Sequence, residues 1–325
     1  MAGFAPVPIP VCEPDFTPGV VDEQIRFWAS AEPMRALVTE YGGSLPAADV
    51  GTLLSWLDDF SAEHWDFRGR AKMVERDQVV APETTPAVTE LVTAAATALQ
   101  LVTPLPAAQR AYDHALVLGG LGRACLQRTE YAARLINKGD VSVSRLAALG
   151  SFRPLTDAEK EVPGLSDAGY EVDAMDAGVR AGFGFAEATE RESSPGAVTH
   201  SSWSVTTYRS PGVVEAQVLA APSGEPETRR ANTPDTYEFW AQRVHLRATD
   251  RILVITSPIY VPFQHADAIR MLALRYRCGI DTIGFDPELA SLAMAPGATG
   301  PDRYLQEIRS GILSMRRLHR ALTAA

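Results

Sequence analysis

Apolar side chains recur at helical spacing through the first hundred residues and then gather into short continuous runs, and this change of rhythm divides the chain. Val50, Leu53, Leu54, Leu57 and Phe60 fall on one helical face, with Asp49 and Asp58–Asp59 off it, as in an amphipathic surface helix. The same spacing predicts helices over Val21–Tyr41, Pro46–Phe60 and Pro86–Leu101, the last after a turn-like stretch, Val80–Pro86. The Pro/Ala-rich segment Pro104–Arg110 closes this region.

Beyond Asp113, strands are predicted at His114–Leu118, Val141–Leu149, Arg251–Ile255 and Ile280–Phe285, with Val198–Tyr208 and Val213–Ala221 as a hairpin around Pro211-Gly212. Helices are predicted at Arg123–Asn137, Tyr170–Phe183, Pro234–Leu246, His265–Arg277 and Asp302–Leu322. Strands that are apolar throughout, alternating with helices, belong to a parallel sheet covered on both faces. The expected fold is therefore α/β, a Rossmann-like, mostly parallel sheet with helices on both faces, preceded by an N-terminal helical region. The expected division is residues 1–107 for the helices and 108–325 for the α/β domain with its C-terminal helix.

In such a sheet ligands bind beyond the carboxyl ends of the strands, and there the sequence concentrates small and hydrogen-bonding residues. The first strand runs into Gly119, Gly120 and Gly122 and then Arg123, the second into Gly150, Ser151 and Arg153. Later strand ends lead to Arg229, Arg230, Asn232 and Thr233, and to Thr256, Ser257, Tyr260 and Gln264. Glycines let backbone amides approach a ligand, and the helix that follows offers free N–H groups and a positive dipole end. Phosphate, carboxylate or a nucleotide tail would suit that site. The spacing completes neither a dinucleotide fingerprint nor a phosphate-binding Gly-Lys-Ser/Thr loop. Thr233 before Pro234 also reads as a plain helix cap. Glu159, Tyr260 and His265 are the candidate proton-handling residues; His265 is the histidine best placed for the crevice. The six histidines show no metal-ligand spacing, so no metal is expected.

The order Val117-Leu118-Gly119-Gly120, Arg128, Gly150 with Glu159, Asn232-Thr233 and Val254-Ile255-Thr256-Ser257 resembles the YdcF/SanA-like bacterial domain family, which includes ElyC-type envelope proteins, over roughly residues 112–285. The resemblance implies a Rossmann-like fold with a polar crevice at the strand ends, and S-adenosylmethionine binding or a role in envelope biogenesis. The sequence departs from that pattern where a histidine and an arginine are usual; Tyr260 and Phe263–Gln264 stand there, and Tyr260 or His265 would have to substitute.

Composition narrows the partners. A formal net charge of −10 argues against a polyanion as the main partner, although a transfer RNA could still meet a local basic face. The final helix carries Arg303, Arg309, Arg316, Arg317 and Arg320 beside an apolar stripe, as a docked helix or as a surface for an acidic partner. Three cysteines far apart, Cys12, Cys125 and Cys278, read as reduced thiols. With neither a leader nor a membrane-spanning run, the expected setting is cytoplasmic. The expectation that follows is an enzyme of group transfer or hydrolysis that binds S-adenosylmethionine or another nucleotide-like anion. The alternatives are a non-catalytic binding protein using the same crevice, and an enzyme acting on a substrate carried by transfer RNA or a carrier protein.

Overall fold

The computed structural model describes residues 3–67, 84–289 and 299–324. Residues 80–83 of the turn-like stretch read at Val80–Pro86 lie outside them. The continuous apolar runs form the strands β1 (Ala111–Leu118), β2 (Ser142–Gly150), β5 (Glu215–Ala220), β6 (Arg251–Thr256) and β7 (Gly279–Gly284). These pair in parallel in the order β5-β2-β1-β6-β7. Beyond β5, β4 (Ser204–Tyr208) and β3 (Glu190–Ser193) continue the same sheet as an antiparallel edge.

Each central strand is apolar on both faces because both are covered. Ala115 and Val117 of β1, with Leu253 and Ile255 of β6, pack under α5 (Gly122–Asn137) and α7 (Glu171–Phe183). Leu116 and Leu118, with Ile252 and Val254, pack under α8 (Thr233–Val244) and α9 (Val261–Ala268). Helix α9 runs through a π-helical turn, Ile269–Ala273, into α10 (Leu274–Tyr276). On this second face α11 (Pro301–Ala324) lies against α9, and α1 (Pro18–Ser30), α2 (Glu32–Glu40), α3 (Val50–His64) and α4 (Pro86–Ala98) gather around it. Trp28, Leu54 and Leu57 thereby share one continuous core with the sheet.

Several elements differ from the sequence reading for identifiable reasons. The helix expected over Val21–Tyr41 is two, broken at Ala31, whose ψ of 158° is extended. Pro33 has no N–H to give, and in a continuous helix its ring would meet the carbonyl of Ala29. Helix α3 starts at Val50 instead of Pro46, because Asp49 caps it by accepting from Thr52 N at 2.9 Å. The basic face of α11 is partly consumed in packing. Arg309 Nη1 lies 3.0 Å from Asp58 Oδ1 of α3, and Arg316 pairs with the same carboxylate. The three cysteines are buried, unpaired thiols. Among the described residues no helix is long and apolar enough to cross a membrane.

Candidate functional site

From β1 the chain passes on one side to β2, goes out to the edge at β3, comes back through β4 to β5 beside β2, and then crosses to the other side of β1 as β6. The loops leaving β1 and β6 therefore part, and a crevice opens between them at this switch point. A cleft of about 750 Å³ occupies it, lined from the ends of β1, β2, β6 and β7 and the starts of α8 and α11. Arg128 of α5, only 2 % exposed, ties the two diverging loops together. Its Nη1 donates to Leu118 O at 2.7 Å and to Gly119 O, while Nε and Nη2 donate to Ser257 Oγ at 3.1 and 2.9 Å. The guanidinium carbon stands 5.7 Å from the centre of the Tyr260 ring, within cation–π range.

The glycines hold the loops close to their neighbours. Gly119 N donates to Leu149 O at 2.7 Å, and a Cβ at Gly119 would collide with the Glu171 carboxylate and lie 2.7 Å from Leu149 O. A Cβ at Gly150 would stand 2.8 Å from Val172 Cα. That neighbour is backbone and cannot swing aside, so Gly150→Ala should cost about 1–3 kcal/mol of stability. Urea unfolding checks this; an unchanged midpoint would mean that α7 does not begin so close to β2.

Nine of the residues picked from the sequence do line the cleft: Gly119, Gly120, Gly150, Ser151, Arg153, Asn232, Thr233, Ser257 and Tyr260. Five do not. Gly122 and Arg123 lie beyond the loop, and Thr256 is buried in β6 with its hydroxyl unpartnered. His265 turns the other way, towards β7. Its Nε2 donates to Pro10 O at 2.6 Å and its Nδ1 meets the Thr282 hydroxyl at 3.0 Å. Burial lowers its pKa, against the pull of Pro10 O and Asp281, so the ring is a neutral core group.

Glu159 is likewise a structural anchor. It is the N3 residue of a capping box on α6 (Asp157–Lys160), where its carboxylate accepts from Thr156 N at 3.0 Å. The same carboxylate accepts Gly122 N at 2.7 Å and both terminal nitrogens of Arg153, at 2.9 and 2.7 Å. Burial pulls its pKa upward, but Arg153 and these two amides overcome that and hold it at about 2. Such a group does not exchange protons near neutrality. Asn232, not Thr233, caps α8: its side chain accepts from Asp235 N at 3.2 Å, and Asp235 accepts from Asn232 N at 2.8 Å. Arg229 is spent on Asp235.

The cleft also takes in Arg230 and Gln264, which the strand ends pointed to without a role, Arg128, named in the family resemblance, Arg303 of the final helix, and two residues with no earlier place, Glu171 and Tyr304. Glu171 opens α7 and accepts the Ser151 hydroxyl. Burial raises its pKa against the pull of that hydroxyl and of Arg153, Arg128 and Arg230. Gln264 is 8 % exposed and its amide oxygen has no hydrogen-bond partner. Four arginines, Arg128, Arg153, Arg230 and Arg303, face one carboxylate, Glu171, among the described lining residues. Glu159 offsets Arg153, and the cleft gathers these arginines in a chain of net charge −10.

Comparison with known proteins places the chain beside a family described as the Rv3785 N-terminal domain, whose model matches residues 12–100, within the helical region. The chain is 27% identical over 344 residues to "Uncharacterized protein Rv3785" of Mycobacterium tuberculosis (strain ATCC 25618 / H37Rv), with 95% of this chain and 94% of that protein covered. "Uncharacterized protein Mb3814" of Mycobacterium bovis matches to the same extent. No solved structure matches. These matches overturn the resemblance to the YdcF/SanA-like family. The similarity runs nearly end to end to Rv3785-type proteins and includes the helical region, which that resemblance left unexplained. The short strand-end motifs are what any glycine-rich sheet edge needs, and they carried that resemblance too far.

Proposed function

We propose that the cleft binds a phosphate-bearing, nucleotide-like small molecule, and that the protein is a cytoplasmic enzyme of group transfer or hydrolysis acting on it. The observation that carries this reading is the convergence of four arginine side chains, Arg128, Arg153, Arg230 and Arg303, on one crevice at the switch point of the sheet. Arg230 and Arg303 would meet the phosphates together with the start of α8, where the helix dipole favours an anion. Tyr260, Phe263 and Tyr304 give the cleft aromatic surface for a planar ring. S-adenosylmethionine fits this charge less well, because its sulfonium and ammonium groups would face the same arginines. Glu171 is the proton-handling residue in this reading: a lining carboxyl, partly shielded, with its pKa moved towards neutrality.

Calorimetry with ADP and S-adenosylmethionine, on the wild type and on Arg230→Ala, tests this. Arg230 is exposed, so its replacement leaves the fold intact. ADP is expected to bind the wild type, and the variant to bind it about 10- to 100-fold more weakly. Binding of S-adenosylmethionine without ADP would overturn the phosphate assignment, and binding of neither would remove the nucleotide reading.

A further inference from the structure

A second concavity of about 490 Å³ opens on the far side of Arg230, between the loop after β2, the loop before β4 and the segment after β5. Arg230 and Ala231 line both spaces, so the two chambers share a wall. Their chemistry differs. The walls of the second are Phe152, Tyr170, Val198 and Pro226, and no carboxylate lines it among the described residues. Val198, 44 % exposed, stands at the open side of this space. Phe152 and Tyr170 pack edge to face with ring centres 5.5 Å apart, a pairing that extends readily to a third ring.

One polar group is aimed by its surroundings. His200 Nδ1 lies 3.0 Å from Pro226 O. A carbonyl only accepts, so Nδ1 carries the hydrogen and, in the neutral ring, Nε2 carries the lone pair. The backbone beneath it is fixed, with Ser223 N donating to His200 O at 2.8 Å. From these features we infer that the second chamber binds a neutral small molecule with an aromatic ring and a hydroxyl group, the ring against Phe152 and Tyr170 and the hydroxyl donating to His200 Nε2. A cation would find no carboxylate there, and the one guanidinium on the shared wall, Arg230, is the group assigned above to the phosphates of the main cleft. The role of this molecule as a co-substrate rests on the reading of the main cleft given above; its binding does not.

Ligand-observed NMR on the full chain with p-cresol and toluene as probes, beside calorimetry with ADP, tests the inference. The wild type is expected to bind p-cresol in preference to toluene. Val198→Glu, at an exposed position, should weaken p-cresol by about tenfold and leave ADP within about twofold. His200→Ala should abolish the preference for p-cresol over toluene. Absence of p-cresol binding, p-cresol binding indifferent to Val198→Glu, or a preference that survives His200→Ala would each overturn the proposal. Loss of ADP binding alone, with the p-cresol results as expected, would overturn the reading of the main cleft and leave the second chamber standing.

Discussion

Arg128→Ala is expected to destabilise the fold by about 3–5 kcal/mol, a large part of the stability of an ordinary domain. The side chain is buried, and its guanidinium satisfies Leu118 O, Gly119 O and Ser257 Oγ at once. Truncation leaves these acceptors facing a void, and each buried acceptor left unpaired costs about 1–3 kcal/mol. Arg128→Lys should recover less than half of the loss, because one ammonium cannot span both the β1 carbonyls and the β6 serine as the planar fork does. Urea unfolding of the two variants measures this. If Arg128→Ala stays within about 0.5 kcal/mol of wild type, as an ordinary surface change would, the bridge does not hold the switch point together. ADP binding by Arg128→Lys below its midpoint gives a second readout, since loops that part also move Gly119, Gly120 and Tyr260 out of the cleft.

The layered sheet was legible because its signal is redundant. A strand buried on both faces is apolar over its buried stretch, and runs such as Ala115–Leu118, Leu146–Leu149 and Ile252–Ile255 stand between helix-spaced segments. What escaped lacked that redundancy. Strand β3 has all four residues exposed, so no apolar rhythm marks it. The break between α1 and α2 was written in Pro33, within an otherwise unbroken helical pattern. For the site, the glycine-rich strand ends located the cleft because close approach of backbones demands glycine there. The chemistry of single residues is less legible. Thr156-x-x-Glu159 and Asn232-x-x-Asp235 are both capping boxes, and that pattern, present in the sequence, explains Glu159 and Asn232 without a ligand. His265 follows a strand end in the sequence, but one helical step decides whether a side chain faces the crevice or the core. Glu171 carried no local signal, because its place depends on a contact between α7 and β1 that only the folded chain makes.

Glu159 gives the other large effect, and its dependence on pH has a definite sign. The folded chain holds this carboxyl at about 2, below the usual value of 4.5, because Arg153, Thr156 N and Gly122 N all favour the anion. A depressed carboxyl binds fewer protons folded than unfolded, so its stabilisation is complete above the unfolded pKa and drains away as pH falls towards the folded one. The shift corresponds to about 3 kcal/mol for this well-shielded group. Glu159→Gln should therefore be less stable than wild type by about that amount at pH 7, and the gap should narrow steadily below pH 4.5 towards closure near pH 2. The comparison isolates one carboxyl, because every other titrating group is common to both chains. Urea midpoints between pH 7 and pH 3 measure it. A gap that does not change with pH would show that Glu159 acts through shape alone and that Arg153 does not depend on its charge. A narrowing gap identifies Glu159 as the anion that fixes Arg153 beside Gly120, whose carbonyl oxygen accepts from Arg153 Nη2 at 2.9 Å, and so as a support for the cleft wall.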